Sequence, residues 1–205
     1  MRDIGKEILN YASRLGVDYA DVRIVKRQRE ELVVKNGILE TANINETYGF
    51  GVRILYKGAW GFASSFDLEN FKSTVDKAFA IAKATSSVNK SKVSLSPITP
   101  VKAQWKSNYV IDPFQMSFEK KLNLLFESNK IIREVSGISI AISEMEFFKE
   151  DKIFLSSEGS EIEQSILESG AGISALAIEG NEVQRRSYPN SFGGDYRKAG
   201  WEFIE

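Results

Sequence analysis

Apolar residues recur every three or four positions at the start of the chain: Ile4, Ile8, Tyr11, Ala12 and Leu15, with Gly16 behind them. That spacing puts them on one face of a helix, and the glycine marks its end. The period then changes to two. Ala20, Val22 and Ile24 alternate with Asp21 and Arg23, the signature of a half-buried strand. Leu32-Val33-Val34-Lys35 and Ile38-Leu39-Glu40 flank Asn36-Gly37, and Asn-Gly between apolar runs is the strongest short signal for a hairpin. Residues 47–56 and 59–65 read as a second hairpin around Lys57-Gly58. Asp67 is placed to cap the following helix, whose apolar stripe is Leu68, Phe71, Val75, Ala78, Phe79 and Ala82.

Residues 86–115 show no clean period and contain Pro97, Pro100 and Pro113. They read as a long connection with one short extended piece around Ser91–Leu95. Order then resumes. Phe118, Leu122, Leu125, Phe126, Ile132 and Val135 form a helical stripe closed by Gly137, and Ile138, Ile140 and Ile142 alternate with smaller residues. Ile153-Phe154-Leu155 is a short strand, Glu158-Gly159 a turn, 160–178 mostly extended, and 182–188 a strand after Glu179-Gly180-Asn181. Pro189 to Gly194 reads as a loop.

The two halves resemble one unit used twice. Gly37 and Gly159 stand 122 positions apart, as do Gly58 and Gly180, while Gly49-Phe50-Gly51-Val52 and Gly170-Ala171-Gly172-Ile173 stand 121 apart. Each unit reads as a helix and about four strands. The expected fold is therefore α+β, a layered helix-on-sheet domain with mainly antiparallel strands and an internal duplication. The expected organisation is a first αβ unit at 1–88, a connection at 89–115, a second unit at 116–190, and at 191–205 the start of a link to a further domain.

Composition narrows the chemistry. The chain contains no histidine and no cysteine. A thiol nucleophile, a disulfide framework and a Ser-His-Asp triad are excluded, and zinc lacks its ordinary ligands. No catalytic residue and no metal ligand is expected in this chain. With 27 Lys and Arg against 28 Asp and Glu, the net charge is −1, unlike the strongly basic footprint of a nucleic-acid binder or a polybasic membrane-surface protein. The charged start shows no secretory signal and no window is apolar enough to span a bilayer, so the expectation is a cytoplasmic protein with neither membrane nor nucleic acid as partner.

Gly170-Ala171-Gly172-Ile173-Ser174-Ala175 fits Gly-x-Gly-x-x-Ala, but Gly180 interrupts the helix that a pyrophosphate cradle would need, so these glycines belong to a strand. Glycine leaves strand backbone bare, and another chain can approach it closely. Gly49, Gly51, Gly170 and Gly172 are thus the candidate substrate-binding positions, with a helix packed tightly over the same glycines as the competing reading. Lys26, Arg27, Arg29, Arg185 and Arg186 read as a solvated strand edge, and Glu144, Glu146, Glu150 and Asp151 as a polar outer face. Trp60 and Phe62, two apart on one strand face, read as core; Trp105 and Trp201 lie elsewhere.

One longer run is recognisable. Gly49-Phe50-Gly51-Val52-Arg53-Ile54-Leu55-Tyr56-Lys57-Gly58-Ala59-Trp60-Gly61-Phe62-Ala63-Ser64-Ser65 resembles the N-terminal region of the TldD/PmbA family, also called modulators of DNA gyrase, and is closer to the TldD branch. Ala20-Asp21-Val22-Arg23, Asn36-Gly37, Glu158-Gly159-Ser160 and Gly200-Trp201-Glu202 fit the same pattern. The resemblance implies a zinc metallopeptidase that cuts unfolded or modified peptides inside a homodimer, or a heterodimer with a PmbA-like chain. Its metal would sit on a His-Glu-x-x-x-His type helix beyond the matched region, so zinc is expected in a C-terminal domain and this chain alone is expected to be inactive. Trp201-Glu202-Phe203-Ile204-Glu205 reads as the start of a further helix, as in a piece of a longer protein. The alternative is a non-enzymatic protein-binding module that uses exposed strand edges.

Overall fold

A computed structural model of the chain describes residues 1–189 and 199–204. The elements are α1 (Arg2–Ser13), β1 (Tyr19–Lys35), β2 (Ile38–Tyr56), β3 (Ala59–Ser65), α2 (Phe71–Val88), β4 (Lys102–Lys106), α3 (Phe118–Arg133), β5 (Ile138–Ser156), β6 (Glu161–Glu179) and β7 (Glu182–Tyr188). The strands form one mostly antiparallel sheet in the order β3-β2-β1-β5-β6-β4, with β7 also paired to β6. Three helices pack on it, and the α+β layered class is as expected. Of the expected loop at Pro189–Gly194, residues 190–194 lie outside the described residues, as does most of 191–205; at 201–203 there is a short 3-10 turn.

The chain divides into two compact units that cut across the sequence repeat. The first holds residues 1–26, 47–105 and 150–165; the second holds 27–46, 106–149 and 166–205. In the first, Ile8 and Ala12 of α1 and Val75, Ala78 and Ala82 of α2 pack on Ala20, Val22, Ile24, Val52, Ile54, Ile153 and Leu155. Each fully buried valine, leucine or isoleucine side chain contributes roughly 1.5–3 kcal/mol. Gly5 of α1 lies against Leu155, whose terminal methyl would have to move aside for a Cβ at that position. In the second unit, Leu32, Val34, Leu125, Met145, Phe147 and Trp201 form the core. Ser117 caps α3, its Oγ accepting from the Lys120 N–H at 3.2 Å. Asn129 of α3 is fully buried and donates to the carbonyls of Val34 (3.1 Å) and Ala141 (3.0 Å), while its Oδ1 accepts from the Gly37 N–H (2.8 Å).

The duplication is visible in matched contacts. Asn36 donates its N–H to Ala141 O (2.9 Å) and accepts from Ala141 N through Oδ1 (2.8 Å). Ser157 donates to Ala20 O (2.8 Å) and accepts from Ala20 N through Oγ (3.0 Å), the same clamp 121 residues on. Gly37, Gly58, Gly159 and Gly180 all lie in turns with positive φ.

The offset then changes, which corrects the expectation of 121–122 throughout. The β2–β3 turn closes at Tyr56↔Ala59 and the β6–β7 turn at Glu179↔Glu182, 123 residues apart. Four residues connect β5 to β6 where two connect β1 to β2, and the extra two account for the shift. Gly49 and Gly51 therefore correspond to Gly172 and Ser174.

Other expectations are corrected as well. The repeated unit holds three strands rather than about four, because the charged run Lys26–Glu31 does not break β1. Helix α2 begins at Phe71, and Asp67 closes a turn ahead of it by accepting from the Asn70 N–H at 3.2 Å. Ser91–Leu95 is not a strand. The strand of the connection is β4, which is fully exposed and has no apolar period to reveal it, since it is defined by pairing with β6.

Candidate functional site

In the first compact unit Ala20, Val22 and Ile24 face the helices, so Tyr19, Asp21 and Arg23 of β1 face the other way. Asp21 is completely buried there. Arg53 of β2 donates to Asp21 Oδ2 through Nε (2.9 Å) and Nη2 (2.6 Å), and Arg23 donates to Oδ1 at 3.4 Å. A buried carboxylate needs such partners, because unpaired charge away from water is costly. Each guanidinium also stacks on an aromatic ring, Arg53 on Trp60 at 4.6 Å and Arg23 on Phe154 at 4.9 Å. Two cations around one anion leave this three-residue cluster with one net positive charge, beside the aromatic rings on which the guanidinium groups stack. That is binding chemistry rather than proton-transfer chemistry.

Tyr19 sits edge-on to Trp60. Burial, and then the Asp21 carboxylate beside it, push its hydroxyl up to about 12, with Arg53 acting in the opposite direction. The folded state holds this proton more tightly than the unfolded state does. Its stabilising contribution is complete below pH 10 and is lost as pH rises from 10 towards 12. Melting midpoints measured across that window should fall less steeply in Tyr19→Phe than in the parent. An identical alkaline fall would show that Tyr19 is not the group responsible.

The expectation that Trp60 and Phe62 form core is corrected. Phe62 is 58% exposed and Trp60 half-buried; the inward residues of β3 are Ala59 and Gly61. Gly61 is where backbone approaches closely, since a Cβ there would meet Ala78 O and Ala82 N of α2. The sequence reading missed this residue, although Ala59, Gly61 and Ala63 form a small-residue alternation opposite Ala78 and Ala82.

Gly51 pairs with Ser64 of β3, and a Cβ at Gly51 would meet the Phe62 ring at 2.9 Å. At Gly49 the nearest atom would be Ser65 O at 3.2 Å. Gly170 is buried in β6, and Gly172 is half-buried. Gly172 lines a cleft of about 350 Å3 with Leu124, Leu125, Ile173 and Tyr188. The two glycine pairs fall in different compact units.

The charged residues are engaged locally. Arg29 pairs with Glu146 at 2.8 Å, Lys152 with Glu150 at 3.2 Å, and Ser165 donates to Asp151 at 2.6 Å. Burial raises the Glu144 carboxyl above its ordinary value; Arg185 opposes this, and Glu31 and Glu146 reinforce it. Arg186 donates to Gln184 Oε1 and to the Arg185 carbonyl. Trp105 is exposed on β4, whereas Trp201 is fully buried. Among the described residues no group of three or more Asp or Glu is placed to hold a metal ion. With neither imidazole nor thiolate in the chain, its donors do not fit zinc. No helix among the described residues is long and apolar enough to cross a membrane.

Comparison with known proteins adds to this picture. Residues 20–82 match domain 1 of the PmbA/TldA metallopeptidases, and residues 111–205 match their central domain. A metalloprotease of Methanocaldococcus jannaschii is 28% identical over 169 residues, covering 82% of this chain and 37% of that protein. A metalloprotease of Synechocystis is 26% identical over 170 residues, covering 82% and 36%. The chain thus spans little more than a third of the length of these curated relatives. Among solved structures, a protein from Thermotoga maritima named for modulating a DNA gyrase superposes with a TM-score of 0.74 at 14% identity, covering 91% of this chain and 42% of that one. TldE from Thermococcus kodakarensis gives 0.65 at 15% identity, covering 90% and 42%. At these identities the solved structures show the fold alone.

Proposed function

This chain belongs to the PmbA/TldD metallopeptidase family, and from that premise we propose that it is the N-terminal, substrate-enclosing and dimer-forming part of a zinc metallopeptidase acting on unfolded or modified peptides. One observation carries the proposal: the chain matches the first and central domains of a metallopeptidase family in order, yet contains neither histidine nor cysteine, the ligands on which protein zinc sites ordinarily depend. The metal, and the water it would activate, belong to a C-terminal domain of the longer protein. The contribution of this part is to hold an extended peptide and to pair with a second copy or with a PmbA-like chain, in the cytoplasm. Gly49, Gly51, Gly170 and Gly172 are the proposed places where peptide backbone comes close. At Gly51 it would lie across the sheet face, because β2 stands between β3 and β1 in the sheet order.

A second reading, a protein-binding module without catalysis, is favoured by β7, which is exposed along its whole length and pairs with β6 alone among the described strands. Two measurements separate them. The coding sequence past Glu205 should continue into a His-Glu-x-x-x-His helix, and the longer protein should retain about one zinc per chain after dialysis, the 205-residue chain far less. A stop codon at that point, or a chelator-resistant stoichiometric zinc in the 205-residue chain, contradicts the peptidase reading.

A further inference from the structure

The Asp21 cluster holds more positive charge than its buried carboxylate needs. Arg53 alone meets that carboxylate with two short bonds to Oδ2, 2.9 Å from Nε and 2.6 Å from Nη2. Arg23 adds one long contact, from Nη1 to Oδ1 at 3.4 Å. Its other N–H groups have no hydrogen-bond acceptor among the described residues. A guanidinium carries donors along both edges of a planar fork. Asp21 takes the Nε–Nη2 edge of Arg53, so the opposite edge is turned away from it. The side chains of Arg23 and Arg53 are 49% and 41% exposed, while that of Asp21 is fully buried.

Both forks are held before any ligand arrives. Trp60 of β3 lies under Arg53 and Phe154 of β5 under Arg23, and Asp21 grips both from within the sheet. An arginine fixed in this way loses less rotamer freedom on binding than a free surface arginine does. The helices of this unit pack on the other face of the sheet. Lys152, two positions before Phe154, is paired with Glu150 and adds no net charge here. Across from Arg53 in the β2–β3 register stands Phe62, whose ring is 58% exposed. Gly51, two positions before Arg53 on the same face, carries no side chain. A peptide that crosses the sheet face at Gly51 therefore runs past the arginines and the Phe62 ring.

We propose that Arg23 and Arg53 together bind the side-chain carboxylate of an aspartate or glutamate in that peptide, so that this face selects an acidic residue over its neutral amide. The inference rests on the peptide-holding role proposed above. A carboxylate bridging the open edges of two guanidinium groups replaces water with charge-assisted hydrogen bonds. The cluster, with one positive charge in excess, becomes neutral when it binds. A peptide crossing the face is met in mid-chain, so the carboxylate it offers is a side chain rather than a chain end.

The test is an NMR titration of the nitrogen-15-labelled 205-residue chain at low ionic strength, where charge pairing is least screened. The ligands are acetyl-Ala-Ala-Glu-Phe-Ala amide, its glutamine twin, and the glutamine twin with a free terminal carboxylate. The acidic amide should bind saturably and at least about tenfold more tightly than the glutamine amide, with the Arg23 and Arg53 Nε–H signals shifting most. Arg23→Gln leaves both short Arg53 bonds to Asp21 in place, and its melt should match the parent. In that variant the preference for the acidic amide should shrink at least about fivefold. Equal affinity for the two amides, or an unchanged preference in Arg23→Gln, overturns the inference and leaves the peptide-holding role standing. A free-carboxylate peptide that outbinds the acidic amide also overturns it, since the arginines would then read a chain end. No saturable binding of any of the peptides overturns both.

Discussion

Lys121→Met is expected to destabilise the fold by about 3–5 kcal/mol, the usual cost of removing one partner from a buried ion pair. Lys121 is 2% exposed and Glu30 4%, in a helix and a strand of the second compact unit. The ammonium donates to Glu30 Oε2 at 2.6 Å and lies 5.0 Å over the Phe147 ring. Methionine nearly preserves the side-chain volume, so the loss would come from the carboxylate left without its counter-charge rather than from a cavity. The double variant Glu30→Leu/Lys121→Met should recover all but about 1 kcal/mol, since replacing a buried pair by apolar residues is often close to neutral. Denaturant midpoints at neutral pH provide the comparison. A single variant as stable as the parent would mean that water reaches Glu30.

Gly61→Ala should cost about 2–3 kcal/mol, while Gly51→Ala should cost less than about 1 kcal/mol. The two glycines lie on paired strands but meet different neighbours. At Gly61 the added methyl meets the α2 backbone at Ala78 and Ala82, which cannot move without displacing the helix. At Gly51 it meets the rim of Phe62, a largely exposed ring that is free to swing aside. Peptide handling should respond in the opposite order: cleavage by the full-length protein should fall in Gly51→Ala if peptide backbone crosses the sheet there. Equal melting shifts in the two variants would contradict this assignment of the tight contact to β3 and α2.

The elements that the sequence revealed were those whose side chains share a buried surface. Ile8 and Ala12, Val22 and Ile24, and Val75 and Ala78 all lie where their spacing put them, and Asn36-Gly37 and Lys57-Gly58 turn the chain as expected. What stayed hidden depended on partners distant in sequence. The run Lys26–Glu31 has no apolar alternation to mark it, yet β1 continues through it because neighbouring strands take its backbone and Lys121 neutralises Glu30. β4 carries no apolar period, since pairing to β6 is all that makes it a strand. Trp60 and Phe62 misled because large alternating rings usually point inward; here the backbone of α2 comes so close that only Ala59 and Gly61 fit beneath it. At the candidate site, the absence of histidine and cysteine was plain from the sequence. The Asp21–Arg53 pair was not, because nothing in the spacing of those two residues shows that they meet across strands.

The most direct test of the central claim is turnover of a quenched fluorescent, unstructured peptide by two preparations: this 205-residue chain, and the longer zinc-loaded polypeptide that contains it. The account predicts cleavage by the longer protein, abolished by chelation, and background signal from the 205-residue chain with or without added zinc. Sustained, chelator-insensitive cleavage by the 205-residue chain after repurification would contradict it, and would place a catalytic centre among residues here described as binding and packing.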